Sequence, residues 1–324
     1  MFLPDRSPLE DEPQPWSRET IEKAYFNSFA RTREVVEETE GGRLWRSLSD
    51  LQDTLWIFQQ SVTELLDEIS IFSDRSTGSA FWDEVNSDLA ESHKRAVKRC
   101  IFSCTSSLMA LVDHARKFNK TYPVEGFAAK ILERFPSTGP HAFLHRLRNY
   151  NLHWRVAEAN WNISVDFVRG VREARFVMPK RELLSWDGWN ADSRCYIESS
   201  PDPIDVRKVF FDYREAVHKF YSWHWGEVLS QHSETCRPYF EYKRIITGIR
   251  KRILWNSLLT NPSENFCTYS HLARHLPKQQ VERLLALDGQ SEAQVDALIE
   301  VLELQEFFDA SLRVKALAFF QKNA

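Results

Sequence analysis

Glycine is scarce in this 324-residue chain, ten residues in all, which argues against a fold built from many tight β-turns. Cysteine is scarce too, and its pattern matters more than its number. The five (Cys100, Cys104, Cys195, Cys236, Cys267) are odd in count, widely spread and without a C-x-x-C pair, which suggests neither a disulfide framework nor a zinc ribbon. Cys100 and Cys104 are one helical turn apart but lie in the apolar run CIFSCTSSLMALV, where cysteine packs as a small hydrophobe. No apolar run reaches membrane-spanning length. The opening MFLPDRSPLEDEPQPWS lacks the basic and apolar blocks of a secretory signal. Positive charge is not in excess either. A formal net charge of −4 gives no global attraction to nucleic acid or anionic membranes, so any such binding must come from a local patch. These absences lead us to expect a soluble, cytoplasmic protein with reduced thiols, no membrane contact, no metal and no cofactor.

What is present is helical periodicity. Residues 1–17 carry four prolines and several acids and read as a flexible lead-in. From Ser17, a candidate helix cap, apolar residues at Ile21, Ala24, Tyr25, Phe29 and Val36 predict a helix closed by Gly41-Gly42. Leu44, Leu48, Leu51, Leu55, Phe58, Val62, Leu65 and Ile69 predict a second, long helix, and a third runs from about Ser79 to Asn119. A shorter one, VEGFAAKILERF, ends at PSTGP, and Pro140 to about Trp154 forms the next. The rhythm then breaks, and alternating apolar residues predict a β-hairpin near 155–178 with a turn at Arg169-Gly170. Helices resume near Arg181–Trp186, over about Asp205–Gln231 and over about Cys236–Leu259. The expectation is a mainly α fold: an up-and-down helical bundle over 18–260 with one inserted β-hairpin. TNPSEN reads as a linker into a C-terminal helical extension, 261–324.

One short stretch is polar out of proportion. HRLRNYNLHW, residues 145–154, holds two histidines, two arginines and two asparagines. At about 100° per residue, Arg148, Asn149 and His153 share an arc of roughly 140° with His145. Phe143, Leu144, Leu147 and Tyr150 face the other way and can dock the helix, although Leu152 falls within the polar arc. Asn149 and His153 stand four residues apart, close enough for the amide to hold one imidazole tautomer.

The segment LRNYNLH resembles the R-x(4–6)-H signature of the HEPN superfamily, in the LRN-x-x-x-H form of many prokaryotic members, with the resemblance extending over about residues 20–260. It implies a HEPN-like helical bundle and a metal-independent endoribonuclease acting as a homodimer, the Arg and His of two copies facing across one composite site. By that resemblance Arg148 would hold the scissile phosphate, His153 would serve as general acid or base, and Asn149 would position His153. Those roles suit an always-charged planar fork and a side chain that titrates near neutral pH. The products would carry a 2′,3′-cyclic phosphate, and the biological role would be that of a toxin or phage-defence effector with an antitoxin or defence-system partner. Toxins of this kind silenced by nucleotidyl transfer often carry a Tyr two residues after the motif His; here Arg155 stands there, which argues against that route. The alternative is a catalytically inactive HEPN-like module that binds RNA, a nucleotide or a partner protein.

Tentative RNA contacts are His145 and the basic cluster Lys94, Arg95, Lys98 and Arg99, which continues to Arg116, Lys117 and Lys120. A second basic cluster holds Lys243, Arg244, Arg250, Lys251 and Arg252. Charge runs on long helices are usually solvated faces, and both clusters carry that simpler reading too. His224, between two tryptophans, reads as core rather than as a base-stacking residue, and YSHLARHLPKQQVERLL as packing rather than a DNA-reading helix pair.

Overall fold

The computed structural model describes residues 6–166, 171–260, 268–287 and 291–321. In chain order it contains α1 (Arg18–Asn27), α2 (Phe29–Glu37), α3 (Glu40–Ser76), α4 (Ser87–Thr121), α5 (Phe127–Arg134), α6 (Pro140–His153), β1 (Asn160–Asp166) and β2 (Val171–Met178). There follow α7 (Lys180–Leu184), α8 (Ala191–Ser199), β3 (Ile204–Asp205), α9 (Val206–Gln231), α10 (Ser233–Thr260), α11 (Thr268–Leu272), α12 (Lys278–Leu285), α13 (Glu292–Leu302) and α14 (Ala310–Gln321). The fold is mainly α, with one small antiparallel sheet ordered β1-β2-β3. Among the described residues no helix is long and apolar enough to cross a membrane.

Two compact units divide the chain: residues 44–233, and residues 1–43 together with 234–324. The stretch expected to form one bundle, 18–260, is therefore shared between both. In the unit of residues 44–233, α3 and α4 supply long apolar stripes with Phe58, Val62, Leu65, Val97, Cys104 and Leu108 fully or nearly fully buried. Cys100 and Cys104 pack there as free thiols, and burial pushes both thiols up. The hairpin pairs Trp161 with Phe176 and Ile163 with Ala174; its expected turn at 169–170 lies outside the described residues. Trp161 and Phe176 both meet the ring of Phe72 on α3, so the inserted hairpin is anchored by aromatic contacts.

In the other unit the proline-rich start is packed rather than flexible. Leu9 and Trp16 are buried, the Trp16 ring lies 4.9 Å from that of Tyr242, and its backbone N–H donates to the Tyr242 hydroxyl. Two large apolar side chains suffice to tie down a segment whose backbone carries no periodic signal. Ser17 caps α1 by accepting from the Thr20 N–H, as expected. Gly41-Gly42, however, sit inside the first turn of α3 instead of closing a helix. A Cβ on Gly41 would run into the Thr235 carbonyl oxygen and the Tyr239 Cβ, so close approach to α10 requires glycine there. The long C-terminal helical run breaks at Glu303, whose φ of 54° places it in the left-handed region between α13 and α14.

Candidate functional site

Helix α6 begins with Pro140 at its first position, where a missing N–H costs nothing. Its apolar face docks as the heptad-like spacing requires: Phe143, Leu144, Leu147 and Tyr150 are completely buried. Phe143 stacks on Trp189 and Tyr196, and Tyr150 stacks on Trp189 with its edge toward Trp186. Trp189 is fixed in turn by its indole N–H to the Leu183 carbonyl, 2.6 Å away. This aromatic seat sets which residues of α6 point outward.

Arg148 and Asn149 are half-buried, and His153, the last residue of the helix, is exposed. The expected pairing of Asn149 with His153 is not formed. Asn149 Oδ1 instead accepts from Arg148 Nη1 at 3.2 Å, and His153 makes no side-chain hydrogen bond among the described residues. The physical reason is local: the arginine fork reaches its neighbouring amide, while the imidazole sits at the last residue of the helix, facing solvent. Leu152, Trp154 and Val156 around it are also exposed, at 42%, 53% and 45%. Three large apolar side chains within three residues of His153 in the chain thus face solvent.

Two residues not assigned a positioning role by their sequence pattern hold this end of the helix. Asn151 is buried and its Oδ1 accepts from the Ala157 N–H at 2.9 Å, fastening the chain as it leaves α6. Arg155 donates from Nε to the Tyr150 hydroxyl at 2.7 Å and from Nη2 to Glu182 Oε2 at 2.6 Å. The residue that departs from the nucleotidyl-acceptor pattern is thus a structural clamp. Neither contact had a sequence signal, because both depend on the path taken after the helix.

At the other end of α6, His145 is half-buried against α4. Burial first, then the charges of Arg146 and Arg116, pull its pKa down, with Asp113 opposing and Arg148 adding to the fall. One turn earlier, His141 hydrogen-bonds the Tyr213 hydroxyl through Nδ1 at 2.7 Å, and burial pulls its pKa down to about 4. His141, Tyr213 and Arg116 border a cavity of about 80 Å³ walled by Leu108, Leu111, Phe127, Phe135 and Phe220.

The first basic cluster is only partly available. Lys98 pairs with Glu158 at 2.8 Å, and that hydrogen bond, despite burial, holds the Glu158 carboxyl below its usual range. Lys94 lies 3.6 Å from Glu91 and 5.9 Å from the Trp161 ring centre. Arg99 reaches only the Cys100 sulfur, and Arg95 is exposed with no partner among the described residues. In the second cluster, Lys243 pairs with Glu37, Arg244 with Glu241 and Glu306, Lys251 with Glu303 and Arg252 with Glu22. That stretch is largely neutralised within its own unit and offers little field to a phosphate chain.

His224 is core, as expected: 1% exposed, stacked on Phe220, with burial lowering its pKa to about 4. A contact with no sequence signal joins α3 to α4, where His93 Nδ1 meets Glu68 and its Nε2 meets Arg75, inside a cage that includes Phe72 and Phe81. Among the described residues no group of three or more His, Cys, Asp and Glu side chains is gathered as for a metal ion. In comparisons with known proteins, no family model, no curated protein and no solved structure matches the chain.

Proposed function

We propose that the protein is a metal-independent endoribonuclease whose chemistry resides at the C-terminal end of α6. The observation that carries this reading is the state of His153: exposed, without a side-chain hydrogen bond among the described residues, and close in the chain to exposed Leu152, Trp154 and Val156. A single copy offers one histidine, whereas RNA transesterification uses a base and an acid. Exposed Leu152, Trp154 and Val156, close to His153 in the chain, suit pairing of two copies, which brings two histidines and two arginines to one phosphate.

In that arrangement one His153 removes the ribose 2′-hydroxyl proton as the oxygen attacks phosphorus. The second His153 protonates the departing 5′-oxygen, leaving a 2′,3′-cyclic phosphate and a 5′-hydroxyl. Arg148 donates to the non-bridging oxygens, whose negative charge grows in the transition state. Asn149 acts on Arg148 rather than on His153: its Oδ1 accepts from Nη1 and limits where the fork can swing. Arg95 and Arg99 meet the flanking phosphates, while Lys98 is held by Glu158. Such cutting, directed at cellular RNA, is the activity of a toxin or phage-defence effector.

One observation favours the second reading, an inactive binding module: no protein group fixes the tautomer of His153. Cleavage of labelled RNA in EDTA separates the two. The nuclease reading expects EDTA-resistant cutting with cyclic-phosphate ends, and expects Trp154→Glu to separate the copies and suppress cutting without unfolding the chain. RNA bound but uncut would favour the module, and cutting abolished by EDTA would overturn the proposal.

A further inference from the structure

The cavity beside the first turns of α6 has the makings of a ligand site unconnected with RNA. Its walls are apolar side chains from α4, α5 and α9, so ordered water would find few partners inside. Its polar edge is built differently. Tyr213 is buried, and its hydroxyl has no acceptor among the described residues other than His141 Nδ1. The phenol therefore donates to Nδ1, and the imidazole carries its proton on Nε2. That Nε2–H makes no hydrogen bond among the described residues. Arg116 also lines the cavity, and its side chain is 65% exposed and paired only loosely with Asp113, at 3.8 Å. Arg116 acts on His141, and Arg146 and Arg148 act with it on His145, so positive charge outweighs the single acid at this edge. An apolar hollow with a neutral N–H donor and a loosely held guanidinium at its rim matches a molecule that is apolar at one end and anionic at the other.

We propose that this cavity binds a small carboxylic acid, its carboxylate on Arg116 and His141 Nε2–H and its hydrocarbon end, of about four to six carbons, among the apolar walls. The volume of about 80 Å³ limits the hydrocarbon end to a short chain or a single ring. Longer chains or fused rings do not fit without movement of α5 or α9. The site does not rest on the ribonuclease reading, since of its residues only His141 lies on α6, more than three turns before His153, and the others come from α4, α5 and α9.

The test is titration of the full-length protein at neutral pH with hexanoate and benzoate, and with hexanol and benzyl alcohol as uncharged counterparts. Ligand-observed NMR and calorimetry supply the readout. Saturable binding of the acids is expected, weakened about tenfold or more in Arg116→Gln, while the alcohols change by less than about twofold. Ala115→Leu, which extends a side chain into the cavity, is expected to abolish binding of acids and alcohols alike. Ile131→Phe fills the same space from the half-exposed rim and serves if the first variant fails to fold. No saturable binding by either acid overturns the proposal, as does unchanged acid affinity in Arg116→Gln or in the cavity-filled variant.

Discussion

At the start of α6, His141 and His145 are drawn against α4 and α9, among apolar walls and beside Arg116; at its end, exposed His153 makes no side-chain hydrogen bond among the described residues. Residue type is the same and the helix is the same. What differs is what packs against each turn, and this decides whether an imidazole is a buried, hydrogen-bonded group or a solvent-facing one. Burial at the first end leaves His141 uncharged at physiological pH and its Nδ1 committed to Tyr213. Exposure at the second leaves His153 facing solvent, with no side-chain hydrogen bond among the described residues. The aromatic seat of Trp186, Trp189 and Tyr196 under Phe143 and Tyr150 enforces this division by fixing how α6 is rotated about its own axis.

Removing that seat should blur the contrast most. Tyr150→Ala deletes a completely buried ring and its hydrogen bond to Arg155, and should cost about 3–5 kcal/mol in urea unfolding. A cost below about 1 kcal/mol would mean that α6 is not held as described.

Acid should weaken the buried end next. The folded-state pKa of His141 lies near 4, below the ordinary 6.5, so between these values the unfolded chain binds a proton that the folded chain refuses. Stability contributed by the neutral ring is fully present above about pH 6.5 and is lost as pH falls toward 4, by up to about 3 kcal/mol for this one group. Replacing the ring by His141→Phe should flatten that part of the pH profile of the urea midpoint. An unchanged profile would show that His141 is not buried as a neutral group.

The smallest effect belongs to the cations. Arg95→Ala should weaken RNA binding about two- to fivefold and lower its salt dependence, whereas Lys98→Ala, whose ammonium is already held by Glu158, should change it less. Equal effects in filter binding across a salt series would contradict the distinction drawn between free and paired charge.

Much of this was legible before folding. The helical spacing of Leu44 to Ile69 and the alternation near Trp161 and Phe176 reported α3 and the hairpin, because each pattern is set by local geometry. The apolar face of α6 was equally plain. Two-residue β3 was not, since it exists only as an addition to β2 beside Met178. The glycine pair at 41–42 misled for a related reason: Gly41 permits the tertiary approach to Thr235 and Tyr239, while Gly42 lies against the Val36 and Glu37 carbonyls where α2 turns into α3. At the site, sequence spacing placed Arg148, Asn149 and His153 on one side of a helix, but spacing does not choose between hydrogen bonds open to Asn149. His141, one turn before His145, carried no motif, and its pairing with Tyr213 links residues 72 positions apart. Charge patterning was the least informative, because the acids that neutralise Lys243 to Arg252 lie mostly on other elements.

The measurement that tests the account most directly compares His153→Ala with His141→Ala, recording RNA cleavage in EDTA and the urea midpoint for each. The account predicts that His153→Ala lowers cleavage about a hundredfold or more at an unchanged midpoint, while His141→Ala lowers the midpoint and leaves the folded fraction cutting at close to the original rate. Cleavage that persists in His153→Ala, or that disappears with His141→Ala at full folding, would contradict it.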